Sequence, residues 1–136
     1  MGAGQRMPCM DKLLAPFRPH LYSLLRFTAG LLFFLHGLPK LFGGFGRPAP
    51  VELLSQMGLA GVIEVIGGAL IGLGLFTSPV AFLASGQMAV AYFQAHAPRG
   101  LWPIMNGGEL AALFCFVFLY LAAAGSGRWS IDSLRR

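Results

Sequence analysis

Apolar residues fall into four long runs separated by short stretches rich in glycine, proline and charge. The first run, about Leu21 to Phe42, is too long for the apolar core of a signal peptide and ends without an A-x-A cleavage site, so it reads as a retained membrane anchor. It closes in Phe42-Gly43-Gly44-Phe45-Gly46-Arg47-Pro48, a loop by its glycine and proline content. From Pro50 to Leu59, the residues Val51, Leu53, Leu54 and Met57 recur at helical spacing with Glu52, Ser55 and Gln56 between them, which predicts a short interfacial helix. A second span is expected from about Ala60 to Phe76 and a third from about Pro79 to Ala97. The tight turn Thr77-Ser78-Pro79 between them makes an antiparallel hairpin. A loop from Pro98 to Pro103 places Trp102 at interface depth. The fourth span, about Ile104 to Ala124, leaves a polar tail from Gly125 to Arg136. Since about twenty apolar residues cross a bilayer, the expected fold is all-α, an integral membrane four-helix bundle with short loops. Residues 1–20 form a basic arm and residues 21–136 one transmembrane domain.

Composition narrows this further. Of the 136 residues, 56% are apolar and only 11% charged, with a mean hydropathy of +0.68. An ordinary soluble domain carries about 25% charge, so a soluble catalytic fold is excluded. The net charge of +5 forms no basic stripe, so nucleic acid is not an expected partner. The basic residues act instead as topology signals. Arg6, Lys12, Arg18, Arg128, Arg135 and Arg136 share the side of the two termini, with Arg26 just inside the first helix, against only Lys40, Arg47 and Arg99 opposite. The positive-inside rule then puts both termini in the cytoplasm. Cys9 and Cys115 are too few and too far apart in depth for a disulfide framework or a metal site, and no C-x-x-C is present.

Charged side chains inside a membrane cost about 2.5 to 3.5 kcal/mol each on insertion scales, so each one calls for a reason. Under the expected topology His36 and Lys40 lie toward the outer end of the first helix, Glu64 about one turn inside the second, His96 at the end of the third, and Asn106 and Glu109 at the start of the fourth. Six polar residues from four helices thus converge near the outer leaflet. At about 100° per residue, Arg26, His36 and Lys40 fall within about 80° and Asn106 and Glu109 within about 60°. Two explanations compete: a ligand or redox site, or a Lys40–glutamate pair that only neutralises charge during assembly. His36 could also cap its own helix or bond a backbone carbonyl. Gln87 and Gln94, seven apart, read as hydrogen-bonding glue across the bundle. His96 lies about 180° from Gln87 and belongs with the loop as readily as with the helix. Gly68 and Gly72 form a small-xxx-small pair that lets another backbone approach. Cys115 reads as a small buried apolar residue. No phosphate loop, G-x-S-x-G, H-E-x-x-H or Ser-His-Asp grouping occurs.

Five segments carry a family signature: Gly30-Leu-Leu-Phe-Phe-Leu-His36-Gly37-Leu-Pro-Lys40, the glycine-rich helix with Glu64 and Gly67-Gly68, His96-Ala-Pro98-Arg-Gly100, Asn106-Gly107-Gly108-Glu109, and Gly125-Ser-Gly127-Arg-Trp129-Ser130-Ile-Asp132. In this order and spacing they resemble the DoxX family of small four-helix membrane proteins, over about Leu21 to Asp132. The family's usual ending is G-P-G, and here Ser126 stands in place of that proline, which removes the ring that would stiffen the turn. The resemblance implies a bacterial inner-membrane bundle associated with redox chemistry, the name coming from a thiosulfate:quinone oxidoreductase. It supplies no mechanism by itself.

Two functions follow. In one, the chain is the membrane subunit of an oxidoreductase whose outer polar cluster holds a quinone head group or a sulfur-containing substrate. His36, Lys40, His96 and Asn106 would then bind the ligand, Glu64 would be the ionised partner of Lys40 or His36, and Glu109, nearer water, would carry the proton. In the other, the chain is a non-enzymatic scaffold for soluble redox enzymes, or a small-solute binder or transporter. Haem between His36 and His96 is disfavoured because His96 falls at the loop. Expected partners are the bilayer and soluble redox enzymes, and oligomerisation is left open. At the inner end Arg26 needs an acceptor, and the tail is expected to fold back with Arg26 paired to Asp132 and Trp129 in the interface.

Overall fold

Six helices and no strand make up residues 10–136, the part of the chain that this computed structural model describes. Cys9 and Arg6 lie outside the described residues. Helix α1 runs from Met10 to Phe42 and passes through one 3-10 turn at Ala15–Phe17, where Pro16 sits in the first turn. The described part of the basic arm is therefore helical and continuous with the first span. The helix stops where expected, at Gly43, whose φ of +75° no β-carbon-bearing residue adopts easily.

Helix α2 spans Gln56–Leu73. The interfacial helix expected over residues 50–59 does not form. Val51 N–H bonds the Lys40 carbonyl at 2.8 Å, which ties residues 50–54 back to α1 as loop. Ser55 then caps α2 by accepting from Gly58 N–H at 3.0 Å, so the helix begins at Gln56. It ends at Leu73, short of the expected Phe76, because Gly74 turns left-handed at φ +71°. Helix α3 begins at Thr77 and is α-helical to Ala91, continuing as a π-helical turn at Tyr92–His96 and a 3-10 turn at Ala97–Arg99.

The expected fourth span is broken. A four-residue helix α4, Pro103–Asn106, is separated from α5, Glu109–Ala124, by Gly107 at φ +72°. The Asn106 side chain accepts from Gly108 N–H at 2.8 Å, so it holds the break. Asn106 and Glu109 consequently do not share a helix face. A last short helix, α6, Ile131–Leu134, starts on a Ser130 cap.

Two helices, α1 and α2, are long and apolar enough to cross a membrane. They pack closely on each other, as do α3 and α5. Gly68 of α2 lies where a β-carbon would come within 2.4 Å of the Phe34 backbone nitrogen, and Gly30 of α1 is as tight against Gly72. The small-residue crossing is thus the contact between the first two helices. Phe33, Phe114 and Phe118 stack at its side, with Phe114 and Phe118 nearly parallel at 5.2 Å, over Ile71, Ala81, Ala84 and Leu121.

The distribution of polarity is inverted relative to a soluble protein. Arg26 and Glu64 are 1% and 2% exposed, whereas Phe82 and Phe116 are 67% and 70% exposed. A surface this apolar, surrounding buried charge, suits lipid and not water.

Candidate functional site

The buried polar residues gather at opposite ends of the molecule. At the end formed by the C-terminus of α1 and the N-terminus of α2, Lys40 Nζ lies 2.5 Å from Glu64 Oε1 and 2.6 Å from Oε2. Gln87 of α3 donates its Nε2 to Glu64 Oε1 at 2.9 Å. A carboxylate offers only lone pairs, so the amide nitrogen must face it. The other end of that amide is then left over: Gln87 Oε1 is buried and has no hydrogen-bond partner among the described residues. Glu64 itself sits in a π-helical turn, Ile63–Gly67. Such turns widen a helix by one residue and recur at functional sites.

The remaining residues of the expected outer cluster go elsewhere. His36 bonds the Leu32 carbonyl of its own helix at 2.7 Å and stands edge-on to Phe114 at 6.1 Å. Asn106 donates to the Gly100 carbonyl at 2.9 Å and to the Tyr92 hydroxyl at 3.3 Å, while His96 Nδ1 meets the Asn106 carbonyl at 3.2 Å. Asn106, His96 and Tyr92 therefore clamp the loop between α3 and α5. Glu109 is exposed at the first turn of α5, where a carboxylate suits the helix dipole. The six residues thus divide among an ion pair, a loop clamp and two isolated positions. Gln87 and Gln94 both bond between helices as expected of glue, Gln87 to Glu64 of the ion pair and Gln94 to Gln56.

At the opposite end Arg26 is enclosed by backbone carbonyls. Nε donates to Ile71 O at 3.0 Å, Nη1 to Ser126 O and to Arg128 O at 3.1 Å, and Nη2 to Trp129 O at 2.7 Å, with Gly72 O at 3.5 Å. The tail does fold back, but a direct Arg26–Asp132 pair does not form. The reason is geometric: the turn from Gly125 to Ser130 brings its carbonyls to the guanidinium and sends Asp132 outward. There its carboxylate accepts from the Ser126 hydroxyl, and this bond holds it below the usual carboxylate range against a smaller opposing effect of burial. Asp132 N–H also bonds the Gly74 carbonyl at 3.1 Å. Tyr22 and Ser23 complete the strap, donating at 2.5 Å each to the carbonyls of Gly125 and Arg128. Trp129, at φ +49°, packs its ring 4.8 Å from His20. Neither Tyr22 nor Ser23 was singled out by sequence, since a lone hydroxyl near a helix start carries no pattern. Cys115 is partly buried, its carbonyl taking the Ser85 hydroxyl at 2.7 Å.

Comparison with known proteins decides the family. The profile of the DoxX family matches residues 21–97, which is more than half of the chain. The chain belongs to the DoxX family. Among its relatives, an uncharacterized protein of Haemophilus influenzae is 41% identical over 88% of this chain and 94% of its own length. CatD of Bacillus subtilis, provisionally named an oxidoreductase, is 30% identical over 80% of this chain and 82% of its own length. An uncharacterized membrane protein of Mycobacterium tuberculosis is 25% identical over 95% and 90%. No solved structure is significantly similar. The matched region of this DoxX-family membrane protein contains Lys40, Glu64 and Gln87, while the Asn106–Glu109 segment and the tail lie beyond it.

Proposed function

We propose that this DoxX-family protein is a multi-pass protein of the bacterial inner membrane and the membrane subunit of a redox system linked to quinone or to sulfur substrates. The single observation that carries the reading is the buried Glu64 carboxylate held between Lys40 and Gln87, with an unused acceptor at Gln87 Oε1. Reduction of a quinone takes two electrons, here from a soluble redox partner, and two protons. Lys40 would donate to a head-group carbonyl, Gln87 Oε1 would accept the hydroxyl of the reduced form, and Glu64 would receive or release a proton. Glu109, exposed near the same end, would connect that group to water. The exposed apolar flanks and the antiparallel order of α1, α2, α3 and α5 support four crossings, with α4 and the Asn106 break making up length at the end of α5. The arginine-rich tail end would face the cytoplasm.

Binding of a short-chain quinone to the purified protein in nanodiscs tests the site. Glu64→Gln combined with Glu109→Gln should weaken it at least tenfold, and unchanged binding would defeat the reading. Single cysteines at Ser133 and Arg99, in a background lacking Cys9 and Cys115, test the orientation. An impermeant maleimide applied to intact cells should reach only the Arg99 position.

One observation favours the scaffold alternative. Lys40 contacts both oxygens of Glu64, so the pair is closed on itself, as a charge-neutralising assembly device would be. Replacing both residues by Met and Leu would then preserve partner recruitment.

A further inference from the structure

The tail strap encloses more than it needs to. Where the Arg18–Tyr22 stretch of α1, the end of α5 and the returning tail meet, a cleft of about 530 Å³ remains, lined by Arg18, Arg128 and Arg136 together with Tyr22, Tyr120 and Ser133. Three guanidinium-bearing side chains from two distant parts of the chain meet around one volume, and nothing in the redox reading uses them. Guanidinium forks match the oxygens of a phosphate; the Tyr22 and Ser133 hydroxyls are given to the carbonyls of Gly125 and Ser130, which leaves the Tyr120 hydroxyl as a neutral donor beside them.

We propose that this cleft binds a phosphate group, carried by the head of an anionic phospholipid. The volume exceeds what a bare phosphate fills and suits a glycerophosphate head. The walls continue as lipid-facing helix: Leu21 and Leu25 on α1 and Leu113 and Phe116 on α5 are all exposed, and Leu25, Leu113 and Phe116 lie further toward the middle of the bundle. An amphipathic ligand therefore finds charge at the cleft and apolar surface beyond it. Asp132 is the one carboxylate in the wall. It is already held by the Ser126 hydroxyl, so it subtracts a single charge and leaves the arginines in excess. Basic pockets at the cytoplasmic ends of membrane helices take anionic head groups for the same electrostatic reason. The inference rests on membrane character and the tail geometry, and stands apart from the redox reading.

The test is native mass spectrometry of the full chain released from nanodiscs of equal phosphatidylglycerol and phosphatidylcholine. Phosphatidylglycerol should be retained preferentially, and Arg128→Gln and Arg136→Gln should each lower that retention about fivefold. Arg99→Gln, at the opposite end, should leave it unchanged. Folding is controlled by thermal unfolding in pure phosphatidylcholine, which Arg128→Gln should not alter because the strap uses only the Arg128 carbonyl. Inorganic phosphate that binds the wild type in phosphatidylcholine nanodiscs, and loses affinity in the same two variants, would support the anion site and make its source soluble. Equal retention of both lipids, or an equal loss in Arg99→Gln, would overturn the proposal.

Discussion

At the tail end the Arg26 guanidinium gives its N–H groups to the backbone carbonyls of Ile71, Ser126, Arg128 and Trp129, whereas at the other end the Lys40 ammonium reaches the side-chain oxygens of Glu64. Arg26 is buried and Lys40 partly so, and their surroundings have different freedoms. A carbonyl belongs to the chain's path and cannot turn away or take up a proton. A carboxylate held by an ammonium and an amide can do both without moving the backbone. The first arrangement therefore fixes structure, and the second can take part in chemistry.

Removing the fixture should have the largest effect. Arg26→Ala leaves several buried carbonyls without donors and should cost about 3–5 kcal/mol, read from unfolding in mild detergent. Arg26→Lys should recover only part, since one ammonium cannot reach acceptors on both α2 and the tail. Wild-type stability in Arg26→Ala would erase the difference between the ends. Lys40→Met strands Glu64 and should cost about 3 kcal/mol, while Lys40→Met with Glu64→Leu should regain most of the loss. If the double variant is no better than the single, the pair is as much a fixture as Arg26.

Gly68→Ala probes the crossing between the two ends. Its methyl would press on the Phe34 backbone, where 2.4 Å is available, and should cost about 1–3 kcal/mol. Because Gly68 lies one turn from Glu64, this loss should be non-additive with Lys40→Met in a double-mutant cycle. The smallest effect concerns pH. Asp132 has a lowered pKa in the folded state, so its stabilisation is complete above its unfolded value and disappears as acid brings the pH down through the folded one. Trp129 fluorescence, in a Trp102→Phe background, should report release of the tail in acid. Asp132→Asn should remove that transition.

The sequence made some of this legible. Phe42-Gly43 marks a helix end because glycine at a positive φ is a local requirement, and Lys40 with Glu64 could be matched by depth along two antiparallel helices. The break at Asn106-Gly107-Gly108 left a local sign too, an asparagine before two glycines, but the surrounding apolar run hid it. The carbonyl cage of Arg26 left none, since backbone oxygens have no residue identity, whereas Asp132 offered a visible carboxylate on the tail. Residues 50–55 show the reverse error. Val51, Leu53 and Leu54 had helical spacing, but one long-range bond from Val51 to Lys40 outweighed it.

The carbonyl cage also sets an order of events during synthesis. Arg26 and its partners Ser126, Arg128 and Trp129 are separated by 100 to 103 residues. At about 5–20 residues per second, Arg26 waits roughly 5–20 s after its own translation before the tail that satisfies it exists. For most of that interval only the Ile71 and Gly72 carbonyls are available to it, and its tail acceptors have not yet been made. The tail end of the protein therefore cannot close until the last segment arrives, and a ribosome stalled before residue 126 would leave that end open to membrane proteases.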